Sequence, residues 1–389
     1  SSHSGGRPAR QGGRPRPLPH MLSGRRQRAL APIAAAVVHA AWLLPRRFLS
    51  GQRPPWSGRL WETRPREPAA RAFAVMMKKP PPPGMTDSEK FYFDLNGFII
   101  VRGALSAEEV AAMHAGIDAH SGDILERKET ALRNTKADTP LSGDGTTGRR
   151  DLGGMLGWPK PHCDPFRALL AHPKLVPYLH ELVGRGYRMD HLPTVLSQQK
   201  GSEGFELHGG PLTQQGGFNP MLQYRCEHGQ FYNTLLAMSV VLAEHKDGDG
   251  GFCVVRGSHK MNFPLPDALK HGQEAQEHLY QPVTKPGDVI FFSEATVHGC
   301  LAWNADHERR IALYRFAPSH IAYGRSYSPQ WPASMLEGLT PNERAVLEPP
   351  YADRLDRPVL KPGADEPEIV RRSGAKRKFD QEVHGTEYF

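Results

Sequence analysis

The sequence predicts an α+β protein in which helices come first and a two-sheet antiparallel barrel or jelly roll follows. Stretches with helical character lie between residues 87 and 183. From residue 187 onward, short β-type runs alternate with turn signals such as Gly257-Ser258 and Pro286-Gly287-Asp288. Many short strands separated by turns are typical of two-sheet β architectures, and no internal repeat is present.

The net charge of +8 comes from the first part of the chain. Residues 1–61 contain eleven arginines and neither lysine nor acidic residues, so the remaining residues carry 38 basic against 41 acidic side chains, a balance of −3. A nucleic-acid-binding domain needs a basic face of its own. We therefore expect no nucleic-acid partner.

Composition divides the chain into three parts. Residues 1–84 are rich in Arg, Pro and Gly and fit an organelle-targeting leader or a linker. A low-complexity tail without a targeting function is the alternative, so the sequence leaves a cytoplasmic and an organellar location open. The apolar run 29–44 is too short for a stable membrane span. The composition predicts a globular domain over residues 85–320. We expect residues 321–389 to form an irregular extension packed on that domain. Four cysteines without a Cys-x-x-Cys pair favour a reducing compartment.

The helical part begins at Asp87. Residues 87–95 have helical character, with Ser88 as a candidate N-cap, and residues 98–101 form an apolar strand. Ser106 and Glu109 form a capping box that opens a helix to about residue 120. A Gly- and Thr-rich loop, 121–160, fits a lid, and residues 173–183 predict a second helix.

The β part then follows in short runs. Strand patterns cover residues 187–192, 195–198, 205–208, 232–242, 252–256, 289–292, 296–300 and 309–316. A helix is predicted over 335–346, with a restart at Thr340-Pro341. His298 closes one strand pattern and the pair Arg309-Arg310 opens the next, so antiparallel pairing would bring them to the same end of the barrel.

Four motifs in this order resemble the phytanoyl-CoA dioxygenase family. They are an opening helix and strand ending in Arg102-Gly103, a Gly-Ser-His-Lys turn at 257–260, Pro-Gly-Asp at 286–288 before an apolar strand, and a distal histidine followed by an arginine (His298, Arg309). The combination covers about residues 87–318. The resemblance implies a double-stranded β-helix, the cupin-like jelly roll, with helices packed on one side.

The resemblance also implies an iron(II)- and 2-oxoglutarate-dependent dioxygenase that uses O2 to hydroxylate an unactivated C–H bond of a small organic or lipid-like substrate. Such enzymes hold iron with two imidazoles and one carboxylate. We expect His208 and His298 as metal ligands, and Arg309 as the anchor for a carboxylate of 2-oxoglutarate. Residues expected to help bind the cofactor are Arg310, Asn233 and Tyr224.

The sequence departs from the family at the carboxylate ligand, because Gly210 stands where His-x-Asp would place the acid. Three interpretations stay open. Another acid supplies the ligand, the site takes a halide as the 2-oxoglutarate halogenases do, or the domain is a non-catalytic binding module. The acids considered are Glu206, Glu227, Asp190 or another.

Two other histidines compete for the proximal position. His228 lies near His208 but in a turn, and His162-Cys163-Asp164 is a true His-x-Asp triplet outside the predicted barrel strands. We interpret this triplet instead as a capped junction between a loop and a helix, with Pro165 as the first helical residue. We expect His208 to be the ligand.

Overall fold

The computed structural model describes residues 84–129, 133–324, 331–351 and 355–386. The predicted leader, residues 1–84, lies outside these ranges except for Gly84. The helices of the described residues are α1 (Asp87–Asn96), α2 (Ala107–Ala119), α3 (Asp164–Ala168), α4 (Val176–Leu182), α5 (Asp267–Lys270), α6 (Ala333–Leu336), α7 (Pro341–Val346) and α8 (Gly374–His384).

The strands are short, as the turn signals predict. They are β1 (Phe98–Val101), β2 (Leu125–Glu126), β3 (Arg150–Leu152), β4 (Arg188–Gln198), β5 (Phe205–His208), β6 (Tyr224–Glu227), β7 (Gln230–Asn233), β8 (Leu236–Val241), β9 (Gly251–Val255), β10 (Leu279–Tyr280), β11 (Val289–Ser293), β12 (His298–Leu301), β13 (Arg309–Ala317), β14 (Pro358–Val359) and β15 (Glu368–Ile369).

Two antiparallel sheets form the body of the protein. The first has seven strands in the order β1-β11-β8-β13-β4-β3-β2, and the second has four in the order β10-β9-β12-β5. The pairs β6–β7 and β14–β15 stand apart. All pairings are antiparallel, for example β13 with both β4 and β8. The arrangement is consistent with a jelly roll.

The two sheets pack against each other through apolar side chains. Phe252 and Val254 of β9 belong to the same buried cluster as Ala237 of β8 and Ile290 and Phe292 of β11. The opposite face of the seven-stranded sheet packs on the helices through a larger cluster. That cluster includes residues from the C-terminal part of the chain, namely Trp331, Met335, Ala345, Val346, Leu347 and Leu360.

Local signals set the helix ends. The capping box of α2 is confirmed, since Ser106 accepts from the Glu109 N–H and the Glu109 side chain accepts from the Ser106 N–H. Thr340 caps α7 in the same way. The predicted N-cap of α1 is wrong, because Thr86 and not Ser88 forms a capping box with Glu89.

Three predicted boundaries differ from the structure. β4 runs unbroken from Arg188 to Gln198 through Pro193, where two strands were expected. The expected strand 232–242 is two strands, β7 and β8. The predicted helix 173–183 begins later, at Val176. In the described part of the chain, every helix is too short or too polar to cross a bilayer.

Candidate metal centre and its cavity

His208 and His298 meet because β5 pairs with β12. The antiparallel register sets His298 directly opposite His208, and the two ring centroids are 4.3 Å apart. Directly opposed residues of neighbouring strands project from the same face of a sheet. The pairing therefore places both imidazoles side by side on one face of the four-stranded sheet.

Backbone hydrogen bonds fix both rings. His208 Nδ1 lies 2.9 Å from the Glu206 carbonyl oxygen, and His298 Nδ1 lies 2.7 Å from that of Thr296. A carbonyl oxygen can only accept, so each Nδ1 donates a proton, and in the neutral form of such a ring the lone pair is on Nε2. This is the arrangement in which histidine ligates a metal through Nε2.

Glu294 completes the group. One potential ligand atom of each of His208, Glu294 and His298 lies within 4.8 Å of the others, and Glu294 Oε2 is 3.5 Å from His298 Nε2. In the part of the chain that the structure describes, no other three histidine, cysteine or acidic residues come together in this way. Glu294 was not among the acids named as candidate ligands from the sequence. The available signal is an acid directly after an apolar strand and four residues before a candidate ligand.

Arg315 holds the Glu294 carboxylate. Its Nε donates to Glu294 Oε1 at 2.6 Å, which leaves Oε2 on the side of the histidines. Burial alone would raise the pKa of Glu294, but Arg315 and the two histidines lower it to about 2. Burial, followed by the charge of His208, lowers the pKa of His298 to about 4. At neutral pH Glu294 is a carboxylate and His298 is neutral, and this donor set suits a divalent transition metal.

Gly210 has a backbone conformation that disfavours an acidic side chain. Its φ is +96°, and a Cβ built there would lie 2.1 Å from Met261 Cε, which would have to move. A carboxylate is brought to the histidine pair instead by Glu294, from the segment between β11 and β12.

A cavity of about 450 Å³ adjoins the histidines, a size typical of ligand pockets. Phe292 packs on His298 with ring centroids 4.6 Å apart, and on Phe252 at 4.8 Å. Residues in or next to strands of both sheets line it, including Arg127, Arg149, Asp151, Leu196, Phe205, Phe252, Phe292, Arg309, Leu313 and Arg315. The walls are apolar between charged ends.

Arg309 lines this cavity and is 1% exposed. Its Nη1 donates to Gln198 Oε1 at 2.9 Å, while its Nε has no hydrogen-bond partner. Among the described residues no carboxylate lies within ion-pair distance of it. A buried guanidinium without a counterion is costly, so the site suits an anionic ligand group. The backbone gives it room at Gly251, where a Cβ would lie 2.8 Å from Arg309 Nε.

The other three predicted cofactor contacts need correction. Arg310 points to the opposite face of β13, where it donates to Asp118 and Glu308 at 2.6 and 2.7 Å. Tyr224 donates to Asp94 at 2.5 Å. Asn233 donates to the Leu182 carbonyl at 2.7 Å and lines a different cavity. Arg310 is directed away from the cavity because side chains alternate along β13. Tyr224 and Asn233 lie away from it because the β6–β7 pair is outside the two facing sheets.

The competing ligand candidates are engaged elsewhere. His162 packs against His120, and Asp164 pairs with Lys160 at 3.6 Å. His228 is an exposed turn residue with φ +52°. The acids considered from sequence have partners away from the histidine pair: Glu206 with Lys270 and His271, Asp190 with Arg188 and His191, and Glu227 with Arg225.

The family model described as phytanoyl-CoA dioxygenase (PhyH) matches residues 93–311, more than half of the chain. The fold is similar to HygX from Streptomyces hygroscopicus with nickel and 2-oxoglutarate bound (20% identity, 62% of this chain and 90% of that chain covered, TM-score 0.49).

Two further solved structures are similar. One is EctD from S. alaskensis with 2-oxoglutarate and 5-hydroxyectoine (21% identity, 60% of this chain and 77% of that chain, TM-score 0.44). The other is SnoN, a non-heme α-ketoglutarate-dependent epimerase from nogalamycin biosynthesis (19% identity, 73% of this chain and 97% of that chain, TM-score 0.43). A search of curated protein sequences found no match.

Proposed function

This chain belongs to the phytanoyl-CoA dioxygenase family, and from that premise we propose that it is an iron(II)- and 2-oxoglutarate-dependent dioxygenase built on a double-stranded β-helix. It hydroxylates an unactivated C–H bond of a small organic or lipid-like substrate. One observation carries the proposal: His208, His298 and Glu294 converge beside a cavity that also holds the uncompensated guanidinium of Arg309. We assign the first three residues to the metal and Arg309 to 2-oxoglutarate.

Each residue has a defined task. His208, His298 and Glu294 hold iron(II), and Arg315 keeps one Glu294 oxygen turned toward the histidines. Arg309 anchors the far carboxylate of 2-oxoglutarate by charge-assisted hydrogen bonds. When bound, iron(II) and 2-oxoglutarate couple reduction of O2 and release of CO2 and succinate to oxidation of the substrate. Phe252 and Phe292 exclude water from the side of His298.

Two alternatives lose support from the same geometry. A halogenase-like site needs an open coordination position for the halide, but the Glu294 carboxylate lies within reach of that position. A non-catalytic binding module gives no reason for two imidazoles held through Nδ1 beside a charged acid.

The test is an anaerobic titration of the full chain with Fe(II) and 2-oxoglutarate. Binding is monitored through the visible charge-transfer band of the chelate. We expect the band in the wild type and its loss in His208→Ala and His298→Ala. Glu294→Gln keeps the shape of the side chain but removes its charge, and should weaken iron binding at least about tenfold. Glu206→Gln is the matched control, because this acid pairs with Lys270 and His271 instead.

Each alternative has its own outcome. If no band forms at any concentration, the chain is a binding module. If halide is required for turnover and a chlorinated or brominated product appears, the halogenase-like reading is correct. An unchanged iron affinity in Glu294→Gln would remove Glu294 from the ligand set. Succinate formed only when substrate is present would separate an enzyme from a scaffold that merely retains metal.

A further inference from the structure

Three guanidinium groups stand in one row across the seven-stranded sheet. Arg309 pairs with Gln198 across β13 and β4, and Arg149, which precedes β3, continues the register to the next strand. The Arg127 N–H donates to the Arg149 carbonyl at 2.9 Å, which extends the row to the edge of the sheet. All three arginines line the cavity. Neighbouring strands are about 5 Å apart, so the backbones of Arg149 and Arg127 lie two and three strands away from that of Arg309.

The charges of the cavity do not balance. Asp151 is shared, since Arg127 Nε donates to it at 2.6 Å and Arg149 Nε at 2.7 Å. Glu294 pairs with Arg315, and Arg309 has no carboxylate partner among the described residues. Among the described side chains that line the cavity and their ion-pair partners, four guanidinium groups stand against two carboxylates, an excess of two positive charges. Iron(II) and the 2-oxoglutarate dianion cancel one another, so this excess remains when both are bound.

The excess charge lies close to the metal ligands. Arg149 Cζ is 5.4 Å from the centre of the Phe205 ring, and that ring is 4.7 Å from the His208 ring. One aromatic side chain therefore separates Arg149 from His208. Arg149 is buried, whereas the Arg127 side chain is 33% exposed and marks the mouth of the cavity. A positive site between low-dielectric walls favours an anion strongly.

We propose that Arg127 and Arg149 form a second anion subsite, which binds a carboxylate or phosphate group of the substrate. The apolar walls formed by Leu196, Phe205 and Phe252 take the carbon chain that follows this group. The substrate is thus an anion with an apolar body, and its acidic group stays at the mouth while its chain extends toward the histidines. This inference rests on the proposed function, because it seats the substrate beside 2-oxoglutarate.

The experiment compares chain-matched probes by titration calorimetry. Octanoate and octyl phosphate carry the two anionic groups, and octanamide has the same chain without charge. Each is titrated into the full-length protein, once metal-free and once loaded with Ni(II) and 2-oxoglutarate. We expect at least one anion to bind about tenfold or more tightly than octanamide, and the tighter of the two identifies the acidic group.

Two variants move the affinity in opposite directions. Arg127→Gln removes one guanidinium and should weaken anion binding, whereas Asp151→Asn removes the shared carboxylate and should strengthen it. General damage to the fold would weaken binding in both. Arg225→Gln is the control, since this exposed arginine pairs with Glu227 outside the cavity. The affinity for octanamide should be the same in Arg127→Gln, in Asp151→Asn and in the wild type, because this probe carries no charge.

Three results would overturn the subsite: equal affinity for octanamide and both anions, no binding of either anion in both states, or a shift in the same direction in both variants. The metal-free titration keeps the two proposals apart. Anion preference there, together with failure to bind Ni(II) and 2-oxoglutarate, would contradict the proposed function and retain the subsite. Binding of Ni(II) and 2-oxoglutarate without a preference for the anions would retain the proposed function and contradict the subsite.

Discussion

Arg309 and Arg310 are adjacent in the chain yet face different surroundings. Side chains alternate along β13, so Arg309 enters the cavity and Arg310 meets two acids on the opposite face of the sheet. Arg309 is buried with an unpaired Nε, whereas Arg310 is compensated by Glu308 and Asp118. The two residues therefore offer a controlled pair for the assignment of 2-oxoglutarate.

We predict that Arg309→Gln weakens 2-oxoglutarate binding much more than Arg310→Gln does. Loss of one partner of a buried charge pair costs about 2–5 kcal/mol, so the dissociation constant should rise at least about thirtyfold in Arg309→Gln. Calorimetric titration of 2-oxoglutarate into Ni(II)-loaded protein measures it. Equal effects of the two substitutions would mean that the carboxylate binds elsewhere.

At this scale the sequence predicts part of the site. The resemblance to the family, together with their positions at strand ends, led us to expect His208, His298 and Arg309 in the site, and all three line one cavity. Glu294 could not be found from the motif, because the motif expects the acid two residues after His208. Its place depends on the tertiary approach of the segment between β11 and β12 to β5, and the sequence shows only an acid after an apolar strand, four residues before His298.

At the scale of elements, the start of β9 determines the space available to Arg309. Gly251 begins that strand at φ +79°, and Gly248 lies in the preceding turn at φ +82°. A Cβ at 251 would meet Arg309 Nε at 2.8 Å, whereas one at 248 would meet nothing within 4 Å. The two glycines share a backbone conformation but differ in what lies beside them.

We predict that Gly251→Ala and Gly248→Ala lose similar stability but differ in 2-oxoglutarate binding. A left-handed conformation costs an alanine about 1–2 kcal/mol at either position, which urea denaturation should show. Only Gly251→Ala displaces the Arg309 guanidinium, so only this variant should bind 2-oxoglutarate more weakly. An unaffected Gly251→Ala would show that Arg309 adjusts freely and is not held in place by β9.

Sequence patterns predicted most elements but not their pairing. The helix starts at Ser106 and Thr340 are predictable from sequence because each capping box forms between residues only three apart in the chain. The pairing of β1 with β11, and the place of β8 between β11 and β13, join segments far apart in the chain. Such contacts depend on how whole apolar faces match. The continuous β4 was missed for a related reason, since Pro193 reads locally as a break.

At the scale of the whole molecule, buried histidines make stability depend on pH. Burial lowers the pKa of His245 to about 3 and that of His259 to about 4. A histidine of the unfolded chain titrates near 6.5, so between these values the unfolded state binds more protons. Stability is therefore full above about pH 6.5 and falls as the pH drops toward 3.

We predict that metal-free protein loses stability between pH 7 and pH 5, and that His245→Gln loses about 2 kcal/mol less over this interval. Urea denaturation at both pH values provides the measurement. Carboxylates contribute little in this range, because their unfolded pKa values lie lower. His228→Asn, at an exposed turn, is the control. The same pH dependence in His245→Gln as in the wild type would contradict the assignment.

The pairing of β5 has a consequence for local opening. β5 is the outermost strand of the four-stranded sheet and pairs with one strand, β12, while on its other edge the Glu206 N–H donates to the Asn134 carbonyl at 3.1 Å. It carries His208, while Glu294 and His298 lie on the other side of that pairing. An ion bound by all three residues would link this edge strand to its neighbour. Local opening of β5 would then be coupled to release of the ion. Amide hydrogen exchange along β5 would then report metal occupancy.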